Sequence, residues 1–435
     1  MATVSRGALL LGLAVLGGAG RAGAQIPKLT LEQAITKANL VQPVVIQAGT
    51  TVRNAQARQR SATGAFLPSL TLSGSRNDNF SEGQQLDPST GQFTTSGSST
   101  RSAGATVSSS VDLFAGFRRT GEKRAANANR SAADAGLINA RYQQQLTTTN
   151  QFFDVLAAEE LLQVREASVR RAEEQLKVAV ALLHAGRGIR PDSLRSLVTL
   201  GNAQLQLVNA QAALATAQAN LGRTVGEDGP VGAVEDSTLY ALLPSVDTVA
   251  LRREALENAP SVKASEASAL AARASVTVSK AGYYPTLSLS GSASLNGSSR
   301  NDYNFLQSRQ VSLGLNWPIF NRFQREQGVV NALTSLENAE ASAADARRLV
   351  LANMTAAISA LDAARLRIGI TQISVLAGQE DLRVQQERYR LGASTIVDVL
   401  TSQEALNQAE VDAVTARFDY VRARAQIAAL IGRSL

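Results

Sequence analysis

Apolar and small polar residues alternate over four stretches of the chain. Leu70, Leu72 and Gly74 are interleaved with Thr71, Ser73 and Ser75, and Leu287, Leu289 and Gly291 with Ser288, Ser290 and Ser292. Two further stretches do the same. Val107, Ser109, Val111 and Leu113 stand against Thr106, Ser108, Ser110 and Asp112; Leu313, Leu315, Trp317 and Ile319 stand against Ser312, Gly314 and Asn316. A period of two predicts strands of about ten residues with one apolar and one small polar face. In a soluble sandwich the apolar face meets a second sheet; in a membrane barrel it meets lipid, and the polar face lines a water-filled lumen. Phe66, Phe114, Tyr283, Tyr284, Trp317 and Phe320 crowd at one end of these strands, as residues of an interfacial belt do. The polar segments 76–104 and 293–310 at the other end predict long loops.

Elsewhere the period changes. Val155, Leu162, Val169, Leu176 and Leu183 are spaced by seven, with Ala158, Ala172 and Ala179 between them. This is the narrow stripe of a coiled coil. Residues 118–185 contain no proline and predict a helix about 100 Å long at ~1.5 Å per residue; residues 324–391 predict its equal. Each rod ends at a glycine, Gly186 in HAGRGIRPDSL and Gly392 in RLGASTIVDVL, where a left-handed residue can close a helix. Asp192 and Asp398 fall in the first turn of the returning helices, where the helix dipole favours a carboxylate. Those helices run to Gly226 and Gly432. A shorter helix precedes each hairpin, within 30–63 and 248–280.

These elements come twice. GAFLPSLTLSGS at 64–75 returns as AGYYPTLSLSGS at 281–292, and Pro43 as Pro260, an offset of 217. Phe117, Gly186, Asp192, Leu194 and Gly226 return as Phe323, Gly392, Asp398, Leu400 and Gly432, an offset of 206. The sequence therefore divides into 1–24, a first unit at 25–226, a linker at 227–247 and a second unit at 248–435. The difference between the offsets puts extra residues in the first hairpin, in an exposed loop.

Residues 1–24 read as a secretory signal: Arg6, the small apolar run Gly7–Gly20, and Ala22-Gly23-Ala24 before the cleavage point. No other segment reads as a transmembrane helix. The chain has no cysteine and one histidine, His184, which excludes thiolate and multi-histidine metal sites. The formal net charge of +7 is spread along the helices, without the aromatic-interleaved basic stripe of a nucleic-acid binder. The adjacent carboxylates Glu159/Glu160 and Glu173/Glu174 diverge by about 100° on a helix and share no pocket. Neither an enzyme nor a resident cofactor or metal is expected.

Four strands cannot close a transmembrane barrel, and open edges in lipid leave backbone groups unpaired. Strands that span a membrane here must belong to a barrel shared by several chains. A soluble periplasmic coiled-coil adaptor or scaffold is the alternative; one helical hairpin flanked by split β domains is the pattern expected of an adaptor, against two tandem copies here.

The order helix, strand, loop, strand, very long helix, glycine turn, helix, repeated, resembles the TolC family of outer-membrane efflux and secretion channels. The residues that carry the resemblance are LTLEQAI at 29–35, Pro68-Ser69-Leu70, VSLGLNWPIF at 311–320 and RYRLGASTIVDVL at 388–400. It implies a mainly α fold with transmembrane β: a homotrimer whose twelve-stranded outer-membrane barrel continues into a periplasmic helical barrel. The partners it implies are outer-membrane lipid, a periplasmic adaptor and an inner-membrane pump. Leu70, Leu72, Leu287, Leu289, Leu313, Leu315 and Trp317 would face lipid. Gly186, Gly392, Arg187 and Ser394 would lie at the adaptor-docking tips. Asp398 would ring the periplasmic gate, and Tyr389 would bond Asp192. Ser394 and Thr401 depart from the family's gating arginine and second aspartate; Arg187 and Arg190 are the substitute cations.

Overall fold

The computed structural model describes residues 26–86, 88–89, 91–236, 240 and 247–433; the expected signal at 1–24 lies outside them. The elements are β1 (Lys28–Leu29), α1 (Leu31–Val41), α2 (Pro43–Gly64), β2 (Ser69–Leu86), β3 (Phe93–Ala115), α3 (Arg118–His184), α4 (Arg190–Val225), β4 (Gly232–Ala233), α5 (Thr248–Asn258), α6 (Pro260–Lys280), β5 (Thr286–Ser298), β6 (Leu306–Asn316), α7 (Gln324–Arg390) and α8 (Ile396–Ile431). Each expected leading helix is broken in two. Pro43 and Pro260 each start a new helix after an extended or non-helical residue, as expected where proline disfavours helix in the residue before it.

β2, β3, β5 and β6 form one antiparallel sheet in that order. Both hairpins share a register: Ser69 faces Ser110, and Thr286, 217 residues on, faces Asn316, 206 residues on. The polar face carries a ladder of serines, with hydroxyl pairs Ser69–Ser110 at 2.8 Å and Ser290–Ser312 at 2.7 Å. One outer edge of β2 and one of β6 carry no strand among the described residues.

Two expectations about the strands need correction. The polar segment 76–104 is mostly strand, because β2 and β3 stay paired out to Leu86 and Phe93. β3 leaves β5 at Ser102, so the end of the first hairpin projects as a two-stranded ribbon. Much of 293–310 is likewise strand. Runs of Ser and Thr satisfy a β ladder as well as a loop once every backbone group has a partner opposite. The second correction is a bulge between Asp112 and Phe114. The bulge puts Phe114, in place of Leu113, beside Leu287.

Strand turns into helix through two successive left-handed residues, Gly116 and Phe117 in the first unit, Arg322 and Phe323 in the second, with φ of 56–64°. A left-handed non-glycine residue costs about 1–2 kcal/mol. Ring contacts offset that cost. Phe117 meets Phe114 at 5.4 Å and Tyr284 at 5.5 Å edge-on, and Phe323 meets Phe320 at 5.5 Å.

α3 and α7 have 67 residues each, α4 and α8 have 36 each. α2 and α6 flank the strand-proximal parts of the long helices; α4 and α8 return along the distal parts. The principal core sits midway and contains Phe152, Phe153, Leu221, Met354, Phe418 and Ile427. Segment 227–247 is more than a linker: β4 pairs with β1 in parallel, and Val231 and Ala233 are buried in that core. Ion pairs join the two units across α3 and α8: Arg171–Glu410 at 2.6 Å, Arg422–Asp154 at 2.5 Å, and Arg417–Glu160. By length and composition α7 contains a stretch apolar enough to cross a membrane, contrary to expectation. Its exposed Leu366, Ile370 and Ile373 follow helical spacing and form a stripe.

Both α4 and α8 end at left-handed glycines, φ 80° at Gly226 and 73° at Gly432. A Cβ on Gly226 would approach Val41 Cγ1 to 2.6 Å; on Gly432 it would meet Pro260 Cγ at an ordinary 3.4 Å. Gly226→Ala and Gly432→Ala should share the left-handed strain of about 1–2 kcal/mol. Gly226→Ala should lose about 1–3 kcal/mol more through overpacking. Thermal unfolding of the two variants checks this, and equal losses would contradict the close approach.

Candidate functional site

The distal ends of the rods bring the predicted tip residues together. Both turns close with the same two backbone bonds. Gly186 N–H donates to Leu183 O and Arg187 N–H to Leu182 O; Gly392 N–H donates to Tyr389 O and Ala393 N–H to Arg388 O, all at 2.8–3.0 Å. This double bond pattern satisfies carbonyls that the helix end orphans. Gly186 has φ 72° and Gly392 φ 78°, and nothing lies within 4 Å of an added Cβ at either. Backbone conformation alone calls for glycine there.

The two aspartates occupy equivalent positions but have different partners. α8 starts from Thr395, whose hydroxyl accepts from Asp398 N–H at 3.3 Å while Thr395 N–H donates to Asp398 Oδ2 at 2.9 Å. The Thr395 and Ser394 hydroxyls also lie 2.8 and 3.0 Å from that oxygen. These bonds, led by the Thr395 backbone N–H, hold the Asp398 carboxyl below its usual range. α4 starts instead from Ile189, which has no hydroxyl and makes no side-chain cap. The Asp192 carboxylate is thereby left for a partner from the other hairpin: Tyr389 Oη donates to Asp192 Oδ2 at 3.3 Å.

Tyr389 is buried in a small cluster with Leu382, Ile396, Val399 and Leu406. Burial first, then the neighbouring Asp192 carboxylate, pushes its phenol up to about 12. A second link crosses beside it, where Arg187 Nη2 donates to Arg390 O at 3.1 Å. Ser394 is turned toward its own hairpin, 2.9 Å from Gln385 Oε1. Thr401 is exposed on α8.

The strand residues form a second group. Leu289 stands beside Val111 and Leu313, Leu287 beside Phe114 and Leu315, and Leu72 beside Val107. Leu70 shares the same face beside Ser109, and Trp317 follows the last residue of β6. At the strand–helix junction each unit repeats one contact that the sequence reading missed. Arg119 lies 5.1 Å from the Phe66 ring centroid and Arg325 lies 4.3 Å from that of Tyr283. The signal was present, since Arg119 and Arg325 share the 206 offset and Phe66 and Tyr283 the 217 offset.

Against known proteins, the family model described as Outer membrane efflux protein matches residues 34–227 and 251–433. The chain is 26% identical over 314 residues to the cobalt-zinc-cadmium resistance protein CzcC of Cupriavidus metallidurans, covering 72% of this chain and 73% of that protein. It is 26% identical over 386 residues to the pyoverdine export outer membrane protein OpmQ of Pseudomonas aeruginosa, covering 86% and 78%. The fold is similar to the crystal structure of the outer membrane protein VceC from Vibrio cholerae, with a TM-score of 0.77 over 93% of this chain and 96% of that one, at 17% identity.

The Tyr389 phenol is raised above its ordinary 10.0. Its contribution is therefore complete below about pH 10 and fades as pH climbs toward its folded value. Asp192→Asn should lower that value, yet leave it above the ordinary one because burial is the larger cause. Tyrosinate absorbance during alkaline titration, with Tyr389→Phe to identify the signal, checks this; an unmoved titration in Asp192→Asn would contradict the contact.

Proposed function

The chain belongs to the outer membrane efflux protein family, and we propose that it is the passive outer-membrane duct of a tripartite efflux or type I secretion system. The observation that carries this reading is the sheet. It has one exposed apolar face, one serine-lined face and, among the described residues, two free edges, and it runs directly into rods about 100 Å long. Three chains supply twelve strands for one shared barrel, the family's count, and the rods extend the same wall through the periplasm. The units at 25–226 and 248–435 act as quasi-equivalent staves of that wall.

The tips, with Gly186, Gly392, Arg187 and Ser394, are the docking point for a periplasmic adaptor that joins the duct to an inner-membrane pump. Tyr389–Asp192 and Arg187–Arg390 hold the two hairpins of a chain together there, and three copies of the exposed Asp398 ring the mouth. CzcC is named for cobalt, zinc and cadmium resistance and OpmQ for pyoverdine export. Such unlike cargoes fit a lumen of Ser, Thr, Asn and Gln that selects little, with selection left to the pump.

Purified protein in planar bilayers should conduct ions. Asp398→Asn should reduce cation selectivity, since a carboxylate ring at a narrow mouth concentrates cations, and Tyr389→Phe should raise resting conductance. Unchanged selectivity, together with lower thermal stability, would assign Asp398 to helix capping alone. Leu313→Arg should destabilise the inserted protein by about 2–4 kcal/mol at the bilayer midplane. Ser312→Arg, on the opposite face, should chiefly alter conductance. Reversed outcomes in folding assays would reverse the strand facing.

A further inference from the structure

Among the described residues the chain already contains one complete contact between units, and it predicts the geometry of a second. Within the chain, β3 of the first unit pairs with β5 of the second, Val111 facing Leu289 and Phe114 facing Leu287 on the apolar side. Below the strands Phe117 packs on Tyr284, and α3 lies against α6 with Gly121 beside Val278. The residues of β3 and α3 recur at offset 206 in β6 and α7; those of β5 and α6 recur at offset −217 in β2 and α2. Both hairpins keep one register under these two offsets, so the mapping holds in space as well as in sequence.

Applied to the β3–β5 contact, the mapping assigns a partner to each free edge. Resting on the shared-barrel reading above, we propose that β6 of one chain pairs antiparallel with β2 of the next in the register that sets Trp317 opposite Leu72, Asn316 opposite Ser73 and Leu315 opposite Gly74. Past the bulge equivalent, Phe320 meets Leu70. The chemistry of the two edges agrees. Leu70, Leu72, Phe320 and Trp317 are 78%, 74%, 70% and 59% exposed in the single chain, and this register brings these large apolar side chains against one another. On the other face it continues the serine ladder with Ser73–Asn316 and Ser75–Gly314. A slip by one residue would put Trp317 on Ser73 or Thr71 and turn the Leu side chains to the wrong face.

The helices repeat the argument. Phe323 comes to Leu67 of the next chain as Phe117 comes to Tyr284. The Gly121–Val278 approach becomes Gln327 beside Ser61, two exposed polar residues. The charged contacts Glu160–Arg417 and Arg171–Glu410 map to Leu366–Gln211 and Ala377–Gln204. The interface between chains is therefore uncharged where the one within the chain is ionic, as the exposed stripe of Leu366, Ile370 and Ile373 on α7 requires.

The chain has no cysteine, so disulfide trapping needs no background changes. Full-length S73C/N316C, oxidised in isolated outer membranes, should give disulfide-linked multimers on non-reducing denaturing gels. S61C/Q327C should give the same ladder from the helical part, where both substituted residues are exposed in the single chain. S110C/S290C, a facing pair within the chain, should close without joining chains. Linkage by S75C/N316C or S73C/G314C in place of S73C/N316C would overturn the register and leave the shared barrel standing. Absence of interchain linkage from every pair, while S110C/S290C closes, would overturn both.

Discussion

Every backbone N–H and C=O inside a bilayer needs a partner within the protein, because hydrocarbon offers none. Part of the sheet in this chain meets that demand internally: β3, from Ser102 on, and β5 are paired on both sides. Among the described residues β2 and β6 are each paired on one side only, over strands of 18 and 11 residues. Each unpaired group left in lipid would cost several kcal/mol, more in total than the roughly 5–15 kcal/mol by which folded proteins are stable. On the proposed reading the single chain is a fragment of a closed wall, and its exposed leucines and aromatic rings are surfaces for lipid or another chain.

Below the sheet, strand becomes helix within a few residues, through two left-handed residues in succession. Edge-on ring contacts of Phe117 and Phe323 and the cation–π contacts of Arg119 and Arg325 hold that turn. At the tips a single difference in the residue before each returning helix separates two roles. Thr395 occupies Asp398 with capping; Ile189 cannot cap, and Asp192 reaches across to Tyr389.

Much of this was legible in the sequence. Period 2 located the strands and their apolar faces, because successive side chains of a strand point to opposite faces. The heptads and glycines gave the rods and turns, and the Tyr389–Asp192 partnership followed from the family resemblance. Three features were harder to read. The ribbon beyond Ser102 has no apolar face to betray it, since its ladder is satisfied by backbone alone. The bulge that exchanges Leu113 for Phe114 arises from pairing with β5, which no local pattern encodes. The buried Val231 and Ala233 lie in a segment whose Asp228-Gly229-Pro230 signals a turn while hiding the packing that follows. The break at Pro43 and Pro260 was visible as an aligned pair, though its meaning as a helix start needed the backbone.

The central claim is that the chain is complete only as part of a ring. Native mass measurement on the protein extracted from outer membranes in mild detergent tests it most directly. The account predicts a single species of three chains. A folded, membrane-derived species of one chain would contradict it, because the edges of β2 and β6 would then stand open in lipid.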